Sequence, residues 1–146
     1  MAIRKSVSDT MCYNPEGLID KTIIGSIESD IIVEKTKERL INQYVTYVRD
    51  PDFAYFYSPS IRRYIICTPE VLAYLNACIA IANEDAIIPV ISRGGKMLNL
   101  THREARILVS EIVKHYQNLQ TRLAECMDKA DKAGSVNELY SLRIEV

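Results

Sequence analysis

The sequence predicts an α+β fold, and three observations carry that prediction. Thr68-Pro69-Glu70 writes a helix start, Arg93-Gly94-Gly95-Lys96 writes a hairpin turn, and an apolar seam of helical period runs from about 102 to 133. The chain has 146 residues, of which 48% are hydrophobic and 25% charged, the balance of a folded domain rather than a disordered one. Lys and Arg number 18 against 19 Asp and Glu. That near-balance speaks against a protein whose main task is gripping phosphate backbones.

Taken in order, residues 1–26 read as a polar, extended arm with a turn at Asn14-Pro15-Glu16-Gly17 and a possible short strand at Thr22-Ile23-Ile24. From about Asp30 a helix is expected, because Val33, Leu40, Tyr44 and Tyr47, with Ile41, Val45 and Val48 beside them, form a stripe of period near 3.6. Asp50-Pro51 stops it, since the residue before proline is pushed out of the α region. Phe53 to Tyr57 suits a strand or a packed loop, and Arg63 to Cys67 a strand.

Thr68 then caps a helix to about Ala82, with Pro69 at its first position. Ala86 to Ser92 reads as a strand whose Pro89 confines it to an edge or bulge. The Gly94-Gly95 turn, expected to supply positive φ angles, folds Met97 to Leu100 back against it. Thr101 and Glu104 form a capping box ahead of the long helix. Along that helix Ala105, Leu108, Ile112, Tyr116, Leu119, Leu123, Cys126 and Ala130 recur in steps of three and four. Such a seam, ending at Gly134 as a C′ glycine, is expected to need a partner to cover it. Ser135-Val136-Asn137-Glu138 starts a short last helix.

The chemistry-bearing residues give no catalytic or cofactor constellation. His102 and His115 are too far apart for an i, i+4 zinc pair, and Cys12, Cys67, Cys78 and Cys126 lack metal or redox spacing. The cysteines read as buried free thiols, His102 as an easily accommodated first-turn ring, and His115 as a hydrogen-bonded interface histidine. Cys67, before a helix N-cap, is the best nominal nucleophile, weighed against a buried strand cysteine. No metal, no cofactor and no enzyme are expected. No signal peptide or spanning segment is read either, which predicts a soluble, cytoplasmically made protein.

The aromatic residues are the strongest local anomaly. Seven of the eleven Tyr and Phe are Tyr44, Tyr47, Phe53, Tyr55, Phe56, Tyr57 and Tyr64. With Arg49, Arg62 and Arg63 nearby, the cluster is open to three readings: core packing, a protein–protein interface, or a platform on which single-stranded nucleic acid stacks. Together with Leu108, Ile112, Tyr116, Leu119 and Leu123 of the seam, these seven form the candidate interface set.

Residues 86–142 also carry a resemblance. A hairpin leads into Asn99-Leu100-Thr101-x-x-Glu104-Ala105, then a long helix bearing Glu111-Ile112-Val113-Lys114-His115, then Gly134-Ser135-Val136-Asn137-Glu138-Leu139. This order resembles a small domain of unknown function found towards the C-terminal end of phage tail-fibre and tail-fibre-assembly proteins. The sequence departs from that pattern in having no Trp and fewer alanines in the long helix.

The chain reads as three segments: an arm at 1–26, an α+β segment with the aromatic cluster at 27–85, and, from the resemblance, a phage-tail-like hairpin and long helix at 86–146. The resemblance implies a non-enzymatic structural protein of a tailed bacteriophage virion, an adaptor or fibre-attachment part. Its expected partners are other tail proteins and copies of itself in a symmetric assembly, with no membrane and with nucleic acid disfavoured. It would sit in the host cytoplasm during assembly and then in the virion tail. The alternatives are a tail-fibre assembly chaperone absent from mature particles and a small single-stranded nucleic-acid-binding regulator.

Overall fold

The computed structural model describes residues 26–145. The expected arm with its turn and short strand, and Cys12, lie outside the described residues, apart from Ser26. In order the elements are α1 (Ser26–Arg49), β1 (Tyr55–Ser58), β2 (Arg63–Ile66), α2 (Pro69–Ile81), β3 (Ile87–Ile91), β4 (Met97–Thr101), α3 (His102–Lys132) and α4 (Val136–Ser141). The class is α+β: helices and two antiparallel hairpins, β1–β2 and β3–β4.

The chain forms two compact units. Among described residues the larger takes 39–127 with 143–145, and the smaller takes 26–38 with 128–142. α1 and α3 therefore contribute to both.

In the larger unit the capping signals act as the sequence predicts. Thr68 Oγ1 accepts from Val71 N–H at 3.4 Å, with Pro69 in the first turn where its missing N–H costs nothing. Thr101 and Glu104 exchange bonds of 2.8 and 3.1 Å, satisfying two orphan donors. β3 pairs with β4 from Ile87↔Thr101 to Ile91↔Met97, and Pro89 is tolerated because the sheet has only two strands. Of the two turn glycines only Gly95 has a positive φ (85°), so the expectation for Gly94 is corrected.

The hairpin β1–β2 has no such local signature. Tyr55↔Ile66 through Ser58↔Arg63 pair across a turn in which Arg62, not a glycine, takes φ 64°. A second contact joins the hairpins where Ile65 bridges Ser92 and Arg93 N–H donates to the Tyr64 carbonyl at 2.8 Å.

The core of this unit gathers Ile65 of β2, Cys67, Leu75 of α2, Ile88 and Val90 of β3, Leu100 of β4, and Ala105, Leu108 and Ile112 of α3. α3 has 31 residues, a rod of about 46 Å at 1.5 Å per residue. Its seam was expected to require a partner, yet Ala105, Leu108 and Ile112 are fully buried by the chain's own hairpins and α2. The hairpins supply the apolar cover that a periodicity argument on one helix leaves out. The C-terminal residues add to the unit: Ile144 is buried and exchanges two bonds with Gln43 of α1.

The smaller unit has its own cluster of Val33, Ala130, Ala133 and Leu139. α1 begins one turn earlier than Asp30, and Lys37 pairs with Asp131 at 2.6 Å. Gly134 lies beyond the end of α3 without a positive φ, correcting its expected left-handed C′ role. A Cβ there would come within 3.2 Å of Glu138 Oε1, so the glycine is explained by close approach. The Ser135–Glu138 capping box is present as predicted.

Candidate aromatic binding site

Strand alternation places the β1 side chains on opposite faces of the hairpin. Ser58 is buried and Tyr57 exposed, while the antiparallel register sets Tyr57 opposite Tyr64. Their rings meet edge to face at 5.3 Å and 70°, and Tyr55 meets Tyr64 at 6.0 Å and 69°. Phe53, just before β1, tilts against Tyr47 of α1 at 6.4 Å. Phe56 stacks on His115 of α3 at 5.2 Å with 19° between planes.

These rings enclose an open groove of about 360 Å³ lined by Tyr47, Phe53, Tyr55, Phe56, Tyr57, Tyr64, His115 and Leu119. No carboxylate of the described residues lines it. Phe53, Tyr57 and Tyr64 remain 51%, 50% and 52% exposed, which separates this cluster from a core. A second hollow, of about 500 Å³, shares Tyr64 and adds Pro51, Asp52, Ile66, Arg93 and Gly94. Arg93 reaches across from the β3–β4 turn and holds its guanidinium 3.8 Å over the Tyr55 ring, a cation–π contact.

The turn under the groove is held from below. Glu111 of α3 accepts from Ser58 Oγ at 2.5 Å, Ser60 Oγ at 3.0 Å and Ser60 N–H at 3.1 Å. Ser58 Oγ in turn accepts from Ile61 N–H at 3.2 Å. These bonds fix the left-handed step at Arg62 and thereby the position of Tyr57 and Tyr64.

Of the twelve candidate interface residues, Tyr47, Phe53, Tyr55, Phe56, Tyr57, Tyr64 and Leu119 meet at this groove. Tyr44 and Leu123 are half-buried and do not line it. Leu108 and Ile112 belong to the core, so they are corrected from interface to interior. Tyr116 is half-buried; its hydroxyl donates to the Cys67 carbonyl, and burial, then the nearby Cys67, pushes its pKa up.

His115 and Arg93 complete the site. The expected hydrogen-bonded role of His115 is corrected to a stacked one on Phe56, and burial together with Arg122 lowers its pKa, favouring the neutral ring. Arg93 was legible only as a turn residue, because nothing near it in sequence is aromatic. The first-turn His102 is accommodated with Nε2 2.9 Å from the Ile79 carbonyl, to which it donates, while Nδ1 is buried with no partner among the described residues.

Cys67 and Cys78 are free thiols, and the Cys126 thiol donates to the Arg143 carbonyl at 3.4 Å. Burial pushes Cys67 up to about 12, the opposite of what an activated nucleophile requires. Among the described residues no three His, Cys, Asp or Glu side chains converge as metal ligands, and no helix is long and apolar enough to cross a membrane. No family model, curated protein or solved structure matches the chain.

Proposed function

We propose that the protein is a non-enzymatic structural component of a tailed bacteriophage, an adaptor or fibre-attachment part that binds other tail proteins through the aromatic groove. The observation that carries the reading is the half-exposure of Phe53, Tyr57 and Tyr64 around an open groove. Tyrosine buries large area at low entropic cost and is enriched where proteins meet, whereas a solvated surface gains nothing from such a group. The pattern of residues 86–142 supports the phage assignment. Self-association in a symmetric assembly belongs to the same proposal, with the groove rather than the α3 seam as the contacting surface.

Mass spectrometry of purified particles, quantified against the major capsid protein, tests it. Stoichiometric presence, lost in a Tyr57→Ala variant, is the expected result. Absence from particles with abundance in infected-cell lysate overturns it in favour of an assembly chaperone. Arg93 over Tyr55 favours a second reading, a single-stranded nucleic-acid platform. Salt-sensitive binding lost in a Tyr55→Ala/Tyr57→Ala double variant would support that reading, and no binding at low salt would end it.

A further inference from the structure

The groove also constrains what enters it. Its rings stand at 69° and 70° to one another, so Tyr55, Tyr57 and Tyr64 offer notches rather than parallel faces. A planar base stacks on one such ring at most and is not sandwiched. A puckered, non-planar ring fits the corner that two edge-to-face rings present to the groove. The hydroxyls of Tyr55, Tyr57 and Tyr64 have no hydrogen-bond partner among the described residues and stand ready to donate.

Charge narrows the choice further. Segments 49–64 and 92–96 carry five basic residues, Arg49, Arg62, Arg63, Arg93 and Lys96, against two acidic ones, Asp50 and Asp52, in a chain of net charge −1. Arg62, Arg63, Arg93 and Lys96 are exposed. Among the described residues no carboxylate lines the groove and Arg93 stands beside it, which disfavours a cationic guest.

We infer that the groove holds an extended, proline-bearing segment of a partner protein with acidic residues flanking the prolines. Proline rings seat in the groove against the half-exposed rings of Phe53, Tyr57 and Tyr64. The polyproline II backbone has no internal hydrogen bonds, so its carbonyls accept from the tyrosine hydroxyls. The acidic flanks face Arg93, whose guanidinium lies against the Tyr55 ring at the groove. This inference rests on the reading of the groove as a protein-binding surface and adds the chemistry of its occupant.

The test is fluorescence anisotropy with the full chain and a labelled peptide bearing a Pro-x-x-Pro centre and glutamates at both ends. Controls replace the prolines with alanine, replace the glutamates with lysine, or use labelled oligothymidylate. Binding of the first peptide, weakened about tenfold or more by either replacement and by Tyr57→Ala or Arg93→Gln with unchanged melting temperature, is the expected result.

Equal binding of the alanine or lysine peptide overturns the inference, as does oligothymidylate binding in place of peptide. Failure of every peptide, with Tyr57→Ala still removing the protein from particles, overturns the occupant and leaves the structural role standing. Tight, Tyr57-dependent peptide binding by a protein absent from particles does the reverse.

Discussion

Glu111, in the first third of α3, accepts a 2.5 Å hydrogen bond from the buried hydroxyl of Ser58 on β1, 53 residues away. With the two bonds from Ser60, one carboxylate anchors the turn that presents the aromatic groove. Glu111→Gln keeps the shape but loses an anionic acceptor, so it is expected to destabilise the fold by ~1–3 kcal/mol, since bonds to charged groups exceed neutral ones. Urea unfolding reads the loss. An unchanged midpoint would show that the turn is held by its backbone alone.

Interior and surface aromatic or apolar positions should separate cleanly. Leu108→Ala and Ile112→Ala, both at fully buried sites, are expected to cost ~2–5 kcal/mol through lost burial and the cavity left behind. Tyr57→Ala, at a half-exposed site, is expected to change stability by well under ~1 kcal/mol. Differential scanning fluorimetry across the three variants is sufficient to check this.

Alkaline pH should destabilise the protein in a defined window. The Cys67 thiol rises from 9.0 to about 12 on burial, so the folded state favours the protonated form. Its contribution is complete below pH 9 and is lost as pH rises towards 12, at a slope on the order of 1.4 kcal/mol per pH unit. Tyr116, raised in the same direction, adds to the loss above pH 10. Unfolding curves at stepped pH should flatten in Cys67→Ala, whatever the absolute stability of that variant.

The acid side is set by His115. Its lowered pKa means that the unfolded chain binds a proton more readily, so stability present above pH 6.5 declines as pH falls through the folded value. NMR titration of the ring protons should place His115 below His in a model peptide. Arg122→Gln should move it back upward, because one of the two causes is removed.

The smaller unit depends on its cap. Ser135 Oγ accepts from Glu138 N–H at 3.3 Å, and Glu138 Oε1 accepts from Ser135 N–H at 3.1 Å. Ser135→Ala is expected to cost ~1 kcal/mol. Faster amide exchange confined to 136–141 would locate the effect.

The sequence by itself determined the helices, their starts and the β3–β4 hairpin, because each is written in local signals. Thr68 meets Val71 and Thr101 meets Glu104 three residues on, and a glycine turn joins strands that are neighbours in the chain. It also marked the aromatic cluster by density alone. Only the tertiary structure decided which of those rings stay exposed. The β1–β2 turn uses Arg62 where a glycine signal would announce a hairpin, and Glu111 holds that turn from another element. The same long-range packing buried Leu108 and Ile112, left Tyr44 out of the groove, and carried Arg93 onto Tyr55. Periodicity identifies the face of a helix that must be covered. What covers it depends on contacts between distant segments, and no local pattern encodes those.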